Sequence, residues 1–202
     1  MNEVVIVPTG TANIASVKAA LRRLGAVPVD ASRPEDVTSA ARVVVPGVGS
    51  FGAAMATIDA TGMRSALRER ITAGSPTLAV CVGMQLLCDA STESPGAVGL
   101  GVVTGTVHRF RESVRVPQLG WNRVVPGPGS VYLRPGWAYF ANSYRLDSAP
   151  EGWSTATAEY DGKFVAAIER GPILALQFHP ELSGSWGADL LRRWLAMTGE
   201  AA

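Results

Sequence analysis

Cysteine and histidine are scarce in this chain, with only two of each among 202 residues. The cysteines, Cys81 and Cys88, lie too close together along the chain to build a disulfide framework. The four side chains also lack the spacing of zinc ligands, so we expect no metal and no cofactor. This scarcity suits a reducing compartment and leaves any reactive cysteine as a free thiol.

An excess of charge and a long hydrophobic run are also missing. There are 18 Lys and Arg residues against 17 Asp and Glu residues, which makes nucleic acid an improbable partner. The apolar run at residues 3–7 has no basic segment before it and is too short for a signal sequence or a membrane span. We therefore expect a cytoplasmic protein without membrane contact. Apolar residues make up 47% of the chain, enough for one domain over residues 1–202.

The first ninety residues alternate between strand and helix patterns. Buried strands are predicted at residues 3–7, 42–45 and 77–80, with a short apolar run at residues 27–29. A helix with an apolar stripe from Ile14 to Leu24 is predicted after the strand at residues 3–7. Asn13 caps this helix and Gly25 ends it. A further helix carries Met63, Leu67 and Ile71 at intervals of four residues. This alternation predicts a parallel sheet covered by helices on both faces.

The second half is richer in short β patterns. Apolar runs at residues 102–110, 131–133 and 164–169 predict additional antiparallel strands. A closing helix carries Trp186, Leu190 and Trp194, with Gly199 near its end. The predicted fold class is therefore α/β, with a mostly parallel central sheet and added antiparallel strands.

Cys81 stands where an apolar strand pattern gives way to helix-favouring residues. Such a strand-turn-helix resembles the nucleophile elbow of hydrolases, in which small residues flank the nucleophile. Gly83 and Ala79 are the small residues here. The positive end of the following helix would favour the thiolate. The plainer alternative is a cysteine that acts only as a small buried hydrophobe, and for Cys88 we prefer that interpretation.

His179 and Glu181 are separated by one residue, Pro180. Proline disfavours helix at the residue before it, so we expect an extended segment with both side chains on one side. Glu181 could then fix the imidazole while the other ring nitrogen faces Cys81. His108 has no suitable carboxylate neighbour and receives no role. Together, Cys81, His179 and Glu181 predict cysteine-dependent acyl transfer.

A glycine-rich segment at residues 46–52 follows one of the buried strands. Its backbone N–H groups could stabilise an oxyanion. A phosphate loop is the alternative, but the lysine and the glycine spacing of such loops are missing. We also expect the peptide of Val48 or Gly49 to reorient to complete the hole.

These motifs resemble the class I, triad-type glutamine amidotransferases, and among them the glutaminase subunits of imidazole glycerol phosphate synthases. The resemblance covers nearly the whole chain and is carried by residues 10–17, 46–51, 81–87, 120–122, 139–144 and 177–181. It implies that Cys81 attacks the side-chain amide of L-glutamine, His179 moves the proton and Glu181 orients His179. A thioester forms, ammonia leaves and water releases glutamate.

The same resemblance implies further site residues and a partner. Positions that match glutamine contacts are Gln85, Glu93, Ser143 and Tyr144, and positions that match the oxyanion segment are Gly47, Val48, Gly49 and Val82. The implied partner is a cyclase, a (β/α)₈ barrel that forms a heterodimer with this chain. Ammonia passes to it and yields imidazole glycerol phosphate and an aminoimidazole carboxamide ribotide in histidine biosynthesis.

Three positions depart from the family pattern. Ala79 stands in place of a glycine, and Gln118 and Asn142 stand where histidine is expected. None belongs to the triad, so glutaminase chemistry should survive. Gln118 and Asn142 lie in segments that in the family are near the partner and the glutamine pocket, so these two departures bear on the coupling to a partner and on its identity. Two alternatives stay open: a glutaminase that supplies a different synthase, and a regulatory module of the same fold without catalysis.

Overall fold

The computed structural model describes residues 2–10 and 14–197. The predicted cap at Asn13 and the predicted helix end near Gly199 lie outside the described residues. Six α-helices occur in the described part: α1 (Ile14–Arg23), α2 (Pro34–Ser39), α3 (Phe51–Ala60), α4 (Met63–Thr72), α5 (Val82–Gln85) and α6 (Gly184–Met197). No helix among the described residues is long and apolar enough to cross a membrane.

The first half forms a parallel sheet, as the alternating pattern predicted. Its strands are β1 (Glu3–Ile6), β2 (Val27–Asp30), β3 (Val43–Val45) and β4 (Thr77–Val80), with one strand from the far end of the chain, β12 (Ile173–Leu176). The order is β2-β1-β3-β4-β12, and every neighbouring pair is parallel. All residues of β3, β4 and β12 are buried, so both faces of the sheet centre are covered.

The second half extends the sheet with strands whose pairs are mostly antiparallel. These are β5 (Ala90–Ser91), β6 (Thr106–Arg109), β7 (Gln118–Pro126), β8 (Gly136–Asn142), β9 (Tyr144–Leu146), β10 (Ser154–Glu159) and β11 (Lys163–Arg170). From β12 the sheet continues as β11-β10-β7-β8, while β5, β6 and β9 form a side branch, in which the pairing of β5 with β6 is parallel. The mixed α/β fold class is thus confirmed.

Three local predictions were wrong. Residues 131–133 form no strand, because their three N–H groups donate to the buried carboxylate of Glu169 at 2.7–3.1 Å. In the run at residues 102–110, only Thr106–Arg109 pairs as a strand. The glycine-rich loop ends at Ser50, whose hydroxyl accepts from Ala53 N at the start of α3, so an additional helix precedes α4.

Candidate active site

Cys81 occupies a strained turn between β4 and α5. Its backbone angles, φ 54° and ψ −112°, lie in a region that non-glycine residues rarely adopt. A Cβ added at Gly83 would lie 2.0 Å from the carbonyl oxygen of Val45, so only glycine fits at this position. The predicted elbow is therefore present. Helix α5 is a single turn, however, and supplies a smaller dipole than we expected.

Parallel pairing of β4 with β12 brings the distant end of the chain to this turn. Leu176 pairs with Val80, and Cys81 N donates to Leu176 O at 2.7 Å. Residues 177–179 therefore leave the sheet beside Cys81. His179 N donates to Tyr139 O at 2.9 Å, which fixes the backbone of His179 against β8. The carboxyl ends of two adjacent strands thus place the thiol and the imidazole together.

His179 and Glu181 form a buried pair. His179 Nδ1 lies 2.9 Å from Glu181 Oε1, and both side chains are at least 95% buried. The expectation of a fully extended segment was wrong, because Pro180–Leu182 form a short 3₁₀ helix after the extended His179. The 3₁₀ turn, and not alternation along a strand, folds the carboxylate back onto the imidazole. Nδ1 is thereby engaged, and Nε2 is left to face sulfur.

The environment of His179 favours the imidazolium. Burial by itself lowers the pKa of His179, but the interactions with the Cys81 thiol and with Glu181 outweigh burial and raise the pKa to about 10. An imidazolium beside sulfur stabilises a thiolate. The arrangement therefore sets His179 beside sulfur both as a charge partner and as the acid that can protonate a leaving amine.

Cys88 has a different environment. Burial, and then the charge of Asp89, raise the pKa of Cys88 to about 12. We expect iodoacetamide at pH 8 to add a single carbamidomethyl group to the folded chain, on Cys81, because alkylation requires thiolate. Peptide mass spectrometry locates the adduct, and the unfolded chain, in which both thiols react, is the control. An adduct on Cys88 before Cys81 would contradict this assignment.

The glycine-rich segment packs directly on the elbow. A Cβ at Gly47 would lie 2.5 Å from Gly83 N and 2.7 Å from Val82 Cβ, so the two backbones touch. Gly49 has a φ of +92°, which favours glycine. Val82 N donates to Gly47 O at 3.3 Å, so the N–H group that an oxyanion hole would use is already hydrogen-bonded to a carbonyl oxygen. The hole is therefore closed in this structure.

A cavity of about 260 Å³ opens between these elements. The cavity is lined by Val48, Gly49, Cys81, Val82, Gln85, Glu93, Ala141, Asn142, Ser143, Tyr144 and His179. All four predicted glutamine contacts are in this set, as are three of the four oxyanion residues, while Gly47 and Glu181 lie behind it. The roles of these residues stay predictions, but the structure brings them to one site.

The predicted glutamine contacts are also tied to the surrounding backbone. Glu93 Oε2 accepts from Phe51 N at 2.7 Å, which fixes the start of α3 just after the glycine-rich segment. Gln85 Nε2 donates to the carbonyl oxygen of Tyr144 at 3.3 Å, and Ser143 O accepts from Phe110 N at 3.0 Å. These bonds hold the wall of the cavity in place before any ligand arrives.

Two residues that sequence reasoning gave no role in the site lie within it. Asn142 lines the cavity, and its Nδ2 donates to Tyr144 O at 3.0 Å. Gln177 is fully buried, and its Nε2 donates to Cys81 Sγ at 3.8 Å. Sequence spacing did not indicate Gln177, because the chain bends at Gln177 and Phe178 before the extended residue His179.

The departures Gln118 and Asn142 are direct partners across the β7–β8 hairpin. Both are buried, and Gln118 Oε1 and Asn142 Oδ1 have no hydrogen-bond partner among the described residues. Gln118 does not itself line the cavity, but its partner Asn142 does.

The sequence matches the family described as glutamine amidotransferase class-I over residues 6–197. Imidazole glycerol phosphate synthase subunit HisH of Symbiobacterium thermophilum is 36% identical over 198 residues, covering 96% of this chain and 93% of that protein. The subunit HisH of Mycolicibacterium paratuberculosis is 41% identical, covering 95% of this chain and 96% of that protein.

A plant relative and a solved structure extend the comparison. The chloroplastic imidazole glycerol phosphate synthase hisHF of Arabidopsis thaliana is 41% identical over 199 residues. This chain covers only 34% of the plant protein. A crystal structure described as a glutamine amidotransferase superposes with a TM-score of 0.77 at 23% identity, covering 96% of this chain and 98% of that one, which shows a shared fold. The chain therefore belongs to the class-I glutamine amidotransferases, in the family of the HisH subunits of imidazole glycerol phosphate synthases.

Proposed function

We propose that this chain is the glutaminase subunit of an imidazole glycerol phosphate synthase and works in the cytoplasm as one unit over residues 1–202. Cys81 attacks the side-chain amide carbon of L-glutamine, and imidazolium at His179 donates its proton to the leaving ammonia. A γ-glutamyl thioester remains. His179 then takes a proton from water, which attacks the thioester and releases glutamate. The observation that carries this proposal is the buried Cys81, His179 and Glu181 cluster at the cavity.

The oxyanion of this reaction needs backbone donors. In this proposal the N–H groups of Val82 and Val48 stabilise the oxyanion after the Gly47–Val48 peptide rotates, because that rotation removes Gly47 O from Val82 N. The glycine at position 47 lowers the barrier to such a rotation. A structure with bound glutamine in which Val82 N still donates to Gly47 O would contradict this step.

A partner surface supports the assignment to a synthase. Leu119, Trp121 and Trp137 project from one face of the β7–β8 hairpin, and they are 60%, 55% and 58% exposed. Trp121 also packs edge-on against Tyr139, with ring centroids 6.3 Å apart. Clustered exposed aromatic residues are typical of protein docking surfaces. We propose that this face, called here the aromatic face, receives the cyclase barrel.

The test is a glutaminase assay with and without a cyclase subunit and its ribonucleotide ligand. We expect glutamate release to rise when both are added, because the closed oxyanion hole keeps the isolated chain slow. Identification of the synthase that co-purifies with the chain separates the histidine-pathway assignment from a glutaminase of another pathway. Equal rates with and without every candidate synthase would contradict the proposal.

Trp121→Ala should weaken the complex with the cyclase at least tenfold, because buried tryptophans at interface centres contribute most to affinity. Titration calorimetry or a sedimentation measurement gives the dissociation constant. Val27→Ala, which also removes an exposed apolar side chain but at the opposite edge of the sheet, is the matched control. Unchanged affinity in Trp121→Ala, or an equal loss in Val27→Ala, would place the partner elsewhere.

A further inference from the structure

Gln177 connects the wall of the cavity to the sulfur of Cys81. Its Nε2 donates to Cys81 Sγ at 3.8 Å, and its Oε1 accepts from Gln85 Nε2 at 3.0 Å. The side chain is fully buried and is not part of the cavity lining. It therefore touches the nucleophile from the protein side and does not meet the ligand.

The orientation of both amides follows from one backbone carbonyl. Gln85 Nε2 lies 3.3 Å from Tyr144 O, which can only accept, so the NH₂ group of Gln85 faces this oxygen and Gln177. Gln177 must then present its oxygen to Gln85. Its own NH₂ group is left to point at sulfur.

The backbone explains why Gln177 reaches the thiol. Gln177 directly follows β12, which lies beside β4, and its N–H donates to Ala166 O at 2.9 Å, so its side chain starts next to Cys81. The chain then bends at Gln177 and Phe178 before the extended residue His179, and Phe178 packs against Phe140 with ring centroids 5.6 Å apart. Cys81 thus meets two donors from one segment. The imidazole of His179 can exchange a proton with sulfur, whereas the amide of Gln177 can only donate a hydrogen bond.

We propose that Gln177 stabilises the Cys81 thiolate as a neutral hydrogen-bond donor, and that Gln85 is a positioning residue that acts on the thiolate through Gln177. This rests on the proposed role of Cys81 as nucleophile. When the thiol proton passes to His179, the amide N–H of Gln177 remains directed at the new charge. A donor to a charged sulfur stabilises it more than a donor to a neutral thiol.

The test uses the full chain without substrate and measures iodoacetamide alkylation of Cys81 by mass spectrometry. Gln177→Met keeps the size of the side chain and removes the donor. At pH 7 we expect alkylation to slow about tenfold, equivalent to ~1.4 kcal/mol. At pH 10, where an ordinary cysteine is already thiolate, the rates should converge. Parent-like alkylation at pH 7, or equal slowing at both pH values, would overturn the proposal.

A double-mutant cycle tests the relay from Gln85. Gln85→Met should slow alkylation at pH 7 in the parent, yet have no further effect in the Gln177→Met background, because its influence passes through Gln177. Additive effects would overturn the relay. Alkylation does not depend on glutamine hydrolysis, so a failure here differs from a failure of the proposed function.

Two further variants keep the result interpretable. Gln118→Met makes the same change at another buried glutamine without contact to sulfur, and should alkylate at the parent rate. Should Gln177→Met not fold, Gln177→Glu retains an acceptor for Gln85 and sets a carboxylate against sulfur, so slower alkylation at pH 7 is expected and a parent-like rate overturns the proposal. In the glutaminase assay, Gln177→Met should lower kcat with little change in KM, because Gln177 does not line the cavity.

Discussion

Replacing Cys81 with alanine should abolish glutamine hydrolysis, lowering kcat by about 10⁴-fold or more. In the proposed mechanism the sulfur forms the covalent bond to the substrate, and no other nucleophile among the described residues that line the cavity occupies its position. A coupled glutamate dehydrogenase assay with saturating cyclase measures the loss, and binding of the cyclase should be unchanged.

Cys88→Ala is the control for this prediction. Cys88 is buried away from the cavity, so its removal should leave kcat within about twofold of the parent. Hydrolysis by Cys81→Ala at the parent rate would overturn the nucleophile assignment. Loss of both hydrolysis and cyclase binding would instead indicate a damaged fold, which thermal unfolding would reveal.

Gly83→Ala should destabilise the chain by about 3 kcal/mol or more. The added Cβ would lie 2.0 Å from Val45 O, and this oxygen belongs to the end of β3 and not to a movable side chain. Either β3 or the elbow must shift. Since the same turn aims Cys81, glutaminase activity should be lost along with stability. Denaturant unfolding measures the free energy of unfolding.

Gly74→Ala is the matched comparison for Gly83→Ala. Gly74 has a φ of +74°, but a Cβ there would meet nothing within 4 Å. Gly74→Ala should therefore lower the free energy of unfolding only by the cost of a left-handed backbone at alanine, about 1–2 kcal/mol. If Gly83→Ala cost no more than Gly74→Ala, the close approach of the elbow to β3 would be wrong.

The parts of the fold that the sequence made predictable depend on local patterns. Residues 43–45 and 78–80 are continuous apolar runs, and they became parts of the buried strands expected. The elbow at Cys81 was visible because a strand pattern ends at a thiol followed by glycine. Each of these signals lies within a few neighbouring residues.

The parts that could not be predicted depend on distant partners. Residues 131–133 have the composition of a strand, but Glu169 takes their N–H groups from more than thirty positions away. Glu181 reaches His179 through a 3₁₀ turn that its sequence spacing did not indicate. Gln177 acquires its contact with sulfur only because β12 lies beside β4. Sequence periodicity carries no information about which strands become neighbours.

Tyr139 belongs to the aromatic face and also pairs with His179, which lies along the edge of β8. Tyr139 packs its ring against Trp121 on the outer side, while its carbonyl oxygen accepts from His179 N at 2.9 Å. A protein seated on the aromatic face would therefore contact the residue whose carbonyl oxygen fixes the backbone of His179. In the proposed reaction, docking of a partner and alignment of the imidazole would be linked through this one residue.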